Sequence, residues 1–195
     1  LLLPTGSVRD PCQTSPERLC LFFFRTDSKF EELDGSEVHS TRISLLDVQE
    51  TERFAGLLAR HVGCGDCLLL TGEIGAGKTV LARALIRALF LPEILQEDIP
   101  SPTYTLIQTY HHRDFEIWHA DLYRLENCWE IIELGLIDAF VSALCIVEWG
   151  DRLEHLAPAN TLWLDLEIPT ESGEFRSLSI KSVREVLIDT LWNEW

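Results

Sequence analysis

Residues 72–79 read Gly-Glu-Ile-Gly-Ala-Gly-Lys-Thr. Their types and spacing suit one task, which is holding a chain of phosphates. A triphosphate carries dense negative charge, and a glycine-rich turn can meet it with consecutive backbone N–H groups curled into an anion nest. Gly72, Gly75 and Gly77 let the chain approach without side chains in the way, while Glu73, Ile74 and Ala76 contribute main-chain groups to the same cradle. Lys78 is placed to reach the β- and γ-phosphates and Thr79 to offer a hydroxyl oxygen to Mg²⁺. The apolar run Leu68-Leu69-Leu70-Thr71 comes before the loop and a helical pattern follows, so the loop joins a strand to a helix whose positive end faces the anion.

Two acids stand where such a site would need them. In an open α/β sheet, ligands collect outside the carboxyl ends of the strands. Leu144-Cys145-Ile146-Val147 is an apolar strand that ends on Glu148, and a second strand over 115–120 ends on Asp121. A carboxylate at a strand end can complete the coordination of Mg²⁺ beside the loop threonine, and another can orient or activate a water. Each acid taken alone could as easily be a helix cap or a surface group. His119 reads as a hydrogen-bonded structural residue rather than a base, Tyr123 and Arg124 as shaping the neighbouring loop, touching a partner or serving packing and surface pairing, and Trp149 as packing on the nucleotide, on a partner surface or in the core.

The elements that must position these residues follow from pattern. Strands are expected over 38–44, 67–71, 115–120, 143–147, 161–168 and 177–180, with a loop-then-strand over 99–110. Helices are expected from a capping box at Asp47-Val48-Gln49-Glu50, over 78–90 with Pro92 beyond its end, over 129–140 as one or two pieces broken near Gly135, and after Ser182-x-x-Glu185 to about Trp192. Trp192 and Trp195 suit a terminal packing face. Alternation of strands and helices around the loop gives an α/β, P-loop NTPase-like three-layer fold with a largely parallel central sheet and antiparallel additions late in the chain.

Composition limits the classes. A chain of 195 residues with 46% hydrophobic content can build one sizeable core, and residues 37–195 are expected to form it as a P-loop domain. Residues 1–36, with Pro4, Pro11 and Pro16 ahead of the apolar burst Leu19–Phe24, read as an N-terminal extension. No methionine occurs, so the first residue marks a processed end, a fragment boundary or a non-standard start. No apolar run approaches a membrane span. A net charge of −16 opposes direct grip on nucleic acid, which requires Lys and Arg to displace counterions. Six scattered cysteines, including Cys64 and Cys67 in a C-x-x-C without a second pair, suit reduced thiols in a cytosol-like compartment.

Four blocks in order, Gly-Glu-Ile-Gly-Ala-Gly-Lys-Thr at 72–79, Ser-Pro-Thr-Tyr-Thr-Leu at 101–106, His-Ala-Asp-Leu-Tyr-Arg-Leu at 119–125 and Glu-Trp-Gly-Asp-Arg at 148–152, closely resemble the TsaE family. That resemblance runs from about Val38 onward. It implies a weak, partner-dependent ATPase of bacterial tRNA threonylcarbamoyladenosine biosynthesis that works on a TsaB–TsaD-type complex, which performs the transfer and holds the tRNA. It also implies ATP and Mg²⁺ as ligands, Thr79 and Glu148 as metal ligands, Asp121 as the catalytic or water-positioning acid, and Glu148 and Lys78 as catalytic residues with it. Ser101 and Thr103 then lie in a nucleotide-sensing loop, and Val48 and Arg176 border the rest of the nucleotide. The location implied is the bacterial-type cytoplasm, an organelle being the other home for such a protein. Two other readings of the loop are a small-molecule kinase and a binding module that hydrolyses ATP negligibly. A kinase usually needs an Arg-rich lid, and no Arg cluster follows the loop helix.

Overall fold

A computed structural model describes residues 37–90, 98–169 and 175–195. The expected extension at 1–36 and the expected helix stop at Pro92 lie outside the described residues. The first strand, β1 (His39–Leu45), leads into helix α1 (Val48–Leu58). Asp47 caps that helix, its Oδ1 accepting from the Glu50 N–H at 2.8 Å while Glu50 Oε2 accepts from the Leu46 N–H at 2.7 Å. The expected capping box is therefore formed, with its return bond one residue earlier than usual. Phe54, Ala55, Leu57 and Leu58 form the buried face of α1.

β2 (Cys67–Thr71) is buried along its whole length and passes through the loop into α2 (Lys78–Leu89). Next come the hairpin strands β3 (Ile107–His111) and β4 (Glu116–Asp121), then two short helices, α3 (Cys128–Glu133) and α4 (Leu136–Ser142). Gly135 separates those helices in the left-handed region, as the sequence suggests. β5 (Ala143–Glu148) is wholly buried, and a kinked 3₁₀ segment, Gly150–Leu156, follows it. β6 (Leu162–Glu167), β7 (Arg176–Ser182) and α5 (Glu185–Glu194) complete the order.

Seven strands among the described residues form one sheet in the order β1-β7-β6-β2-β5-β4-β3. β2 lies at its centre, parallel to both β6 and β5, and β4 runs parallel to β5. β1, β7 and β3 are the antiparallel additions. Side chains alternate across the pleat, so Leu68 and Leu70 join one core with Phe54, Leu81 and Ile188, whereas Leu69 joins Ile131, Phe140 and Leu153 on the other face. The result is three layers, with α1, α2 and α5 against one face and α3, α4 and the 3₁₀ segment against the other. No helix among the described residues is long and apolar enough to cross a membrane.

Two expectations need correction. Ser182 does not cap α5: it ends β7, and the helix is entered through Arg184 without a side-chain cap, the Ser182 hydroxyl accepting only the Arg184 N–H at 3.3 Å. Register with β1 keeps Ser182 paired to His39, so the sheet claims the residue before the helix can. Trp192 is 57% exposed, and Trp195 does the packing instead, edge-on to Phe54 with ring centres 5.8 Å apart. The 3₁₀ segment was not foreseen, because a single turn leaves no period to read.

Candidate functional site

The pleat explains how the site is assembled. His119 and Asp121 on β4 and Glu148 on β5 alternate onto the sheet face that α2 covers, with Asp121 and Glu148 directly paired in register. The first turn of α2 stands over these strand ends, and Thr79 Oγ1 donates to Glu148 Oε2 at 2.6 Å. A cavity of about 530 Å³ opens there, lined by Ile74, Gly75, Gly77, Lys78, Thr79, Thr103, Asp121 and Glu148 together with Val80, Tyr123 and Trp149. That volume lies in the range of small-molecule sites.

The loop enters this space by a close approach. Gly72 has φ +123°, and a Cβ there would be driven into the Leu166 carbonyl of the neighbouring strand. Both conditions require glycine. Lys78 is nearly buried and donates to the carbonyls of Gly72 at 2.7 Å and Glu73 at 2.8 Å. The Trp149 ring covers its ammonium at 3.8 Å and packs in turn on Tyr123, with ring centres 4.9 Å apart. Burial lowers the Lys78 pKa from the ordinary lysine value, while Glu148, Asp121, Asp151 and Glu73 pull the other way. Trp149 holds φ 58°, sparsely populated for a bulky side chain, and this turn aims the ring back over the loop.

Asp121 anchors the neighbouring loop. Its Oδ2 accepts from Thr103 Oγ1 at 2.6 Å and its Oδ1 from the Tyr123 N–H at 2.9 Å. Thr103 has one hydroxyl proton and gives it to Asp121, so the 2.8 Å bond between Ser101 and Thr103 is donated by Ser101. Ser101 and Thr103 thus report to the acid through a single chain of protons. Arg124, by contrast, is exposed on the outside, 6.0 Å from the ring of Tyr104.

Other expected residues fall close by. Val48 and Arg176 meet in a second recess of about 220 Å³ on the far side of the loop, which it shares with Gly75, Ala76, Gly77 and Val80. Arg176 Nε donates to the Ala76 carbonyl at 3.1 Å, tying β7 to the loop. Gly72 and Glu73 face a third recess with Asp165 and Glu167, so they shape the lysine rather than line the main cavity. Cys64 is exposed in the turn before β2, and Cys67 is buried.

Sequence reasoning missed three links: the cover that Trp149 makes for Lys78, the backbone bond from Tyr123 to Asp121, and the partner of His119, whose Nε2 lies 2.9 Å from Glu148 Oε1. The Glu-Trp pair directly after an apolar strand was the available signal for the first. For oxygen chemistry the donor set is apt: Thr79 and Glu148 present hard oxygens side by side, and Mg²⁺ is usually held by one or two such groups plus phosphates and water.

A glycine loop between a central parallel strand and a helix, facing acids at neighbouring strand ends, defines a P-loop NTPase-like, nucleotide-binding fold. The crystal structure of Bacillus subtilis YdiB shares it, with a TM-score of 0.63 and 24% identity over 81% of this chain and 95% of that one. The family model described as threonylcarbamoyl adenosine biosynthesis protein TsaE matches residues 45–177. The tRNA threonylcarbamoyladenosine biosynthesis protein TsaE of Rickettsia felis is 38% identical over 143 residues, covering 73% of this chain and 82% of the relative. Its namesake in Bacillus subtilis is 35% identical over 115 residues, covering 58% and 69%. The chain belongs to the TsaE family, whose role is in tRNA threonylcarbamoyladenosine biosynthesis.

Proposed function

We propose that this protein binds and hydrolyses ATP with Mg²⁺ and thereby serves the threonylcarbamoyladenosine modification of tRNA, acting in the cytoplasm on a TsaB–TsaD-type complex rather than performing the transfer itself. One observation carries the reading: a single cavity gathers the loop, Lys78, Thr79, Asp121 and Glu148.

In this reading the N–H groups of residues 74–79 and the N-terminus of α2 receive the phosphates. Lys78 leaves the carbonyls of Gly72 and Glu73 for phosphate oxygens, exchanging neutral acceptors for charged ones. Thr79 and Glu148 would hold Mg²⁺, which would supply charge neutralisation to the phosphates. Asp121 keeps lone pairs free beside its two existing bonds and uses them to orient a water and accept its proton. Thr103, bonded to that carboxylate, carries the nucleotide state outward to the partner through the 101–105 loop. Val48 and Arg176 border the remainder of the nucleotide in the second recess. With 32 acidic against 16 basic side chains, the tRNA is held by the partner and not by this chain.

The test is calorimetry with ATP and Mg²⁺ on the parent and on Lys78→Ala, followed by phosphate release with and without a TsaB–TsaD pair. Binding is expected to be lost in the variant, and the pair is expected to raise turnover. ATP affinity unchanged by Lys78→Ala would defeat the assignment of the loop, and turnover indifferent to the pair would defeat the assignment of the partner.

A further inference from the structure

His119 has no exposed surface, and its imidazole lies on the face of β4 that also carries Asp121, two residues on. Its Nε2 is 2.9 Å from Glu148 Oε1. A carboxylate oxygen only accepts, so Nε2 carries the proton and donates it. Nδ1, on the other side of the ring, has no hydrogen-bond partner among the described residues. A buried polar atom without a partner costs stability, and an apolar side chain would fill the same space without that cost. The feature that gives the imidazole a purpose is Glu148, itself 2% exposed. The two oxygens of that carboxylate are divided between two donors, Oε1 to His119 and Oε2 to Thr79 at the cavity wall.

We propose that His119 is a positioning residue for Glu148: by fixing Oε1 from inside the sheet, it fixes the rotation of the carboxylate and presents Oε2 beside the Thr79 hydroxyl. The inference rests on the function proposed above, in which Glu148 and Thr79 hold Mg²⁺. Partners that orient a ligating group from behind commonly change metal affinity when removed, although they never touch the metal. His119 therefore acts through Glu148 and takes no part in proton transfer to the substrate.

The experiment compares His119→Leu, which fills similar space without a donor, and His119→Gln, whose side-chain amide can replace the Nε2 proton. Nucleotide binding is followed by calorimetry with ADP across a Mg²⁺ titration and again in EDTA. His119→Leu should raise the Mg²⁺ concentration for half-maximal binding by roughly 10–100-fold, with His119→Gln staying within about threefold of the parent. Affinity in EDTA should be the same in all three. A role in packing alone would lower the melting temperature of both variants and leave the Mg²⁺ requirement where it was, and that result would overturn the proposal. So would an equal loss in EDTA. The ¹⁵N spectrum of the parent gives a second reading that needs neither variant nor nucleotide. A proton on Nε2 is expected, and a ring protonated at Nδ1 alone overturns the proposal. A parent chain that binds no Mg²⁺-nucleotide would instead overturn the function proposed above, since the spectrum is independent of it.

Discussion

Gly150 and Gly56 are both replaceable by alanine on paper, and the fold gives the two substitutions opposite signs. At Gly150, just beyond Glu148 and Trp149, an added Cβ would stand 2.5 Å from Leu69 Cβ and 3.0 Å from Leu69 Cα. Carbon atoms in contact rest at about 3.5–4.0 Å, so a gap on the order of 1 Å must open between the 3₁₀ segment and β2. Neither atom belongs to a flexible tip, and Leu69 is fully buried at the centre of the sheet. Overpacking of this kind costs about 1–3 kcal/mol, which in a domain of this size lowers Tm by roughly 2–12 °C. Gly56 lies inside α1 with nothing within 4 Å of an added Cβ. There alanine should stabilise by about 0.4–1 kcal/mol, because it restricts the unfolded chain and favours the helix. Leu69→Ala should not rescue Gly150→Ala, since the obstructing Cβ and Cα survive the truncation. Thermal unfolding followed by circular dichroism measures all four proteins. Equal shifts for the two glycines, or rescue by Leu69→Ala, would refute the close approach of Gly150 to β2.

Asp121→Asn should leave ATP affinity nearly intact while cutting phosphate release by about 10²-fold or more, the usual scale for a lost general base, and a matching loss of affinity by calorimetry would remove its distinct role. Thr79→Ala should raise the Mg²⁺ concentration needed for nucleotide binding with little effect in EDTA, because it deletes an oxygen donor and no charge; a loss in EDTA of the same size would count against it. Burial pushes the Cys145 thiol from 9.0 up to about 12, with the exposed Cys64 adding to the effect, and burial pushes Cys67 up as well, with Cys145 adding to it. The folded chain then keeps protons that the unfolded chain releases, so this stability is complete below pH 9 and falls as pH rises between 9 and about 12, by up to about 1.4 kcal/mol per pH unit for each thiol. Cys145→Ala should flatten the loss measured by urea unfolding at pH 8, 9 and 10, and an unchanged slope would show that the thiol does not titrate in this way.

Legibility in the sequence tracked how local each cause is. The loop, both strand-end acids and the cap at Asp47 depend on neighbours within a few residues, so spacing alone located them. The division of Glu148 between His119 and Thr79 depends on register between β4 and β5 and on the tilt of α2, and nothing in the chain order encodes that directly. Trp149 shows the same limit. Its place over Lys78 follows from a single left-handed turn after β5 that no periodicity announces. Ser182 failed in the other direction, since a correct local signal for a cap was overridden by pairing with the first strand.

The pairing of β1 with β7 also governs when the molecule can come into being. During synthesis β1 leaves the ribosome well before its partner within the described residues, β7, which begins at Arg176. At ordinary rates of about 5–20 residues per second the intervening stretch takes roughly 7–26 s to make, far longer than a helix or hairpin needs to form. The loop strand β2 likewise waits for β5 and β6 on either side. Nascent chains therefore carry the phosphate-loop sequence through the making of β5 and β6 without the sheet that shapes it, and nucleotide has nothing to bind until those strands have emerged.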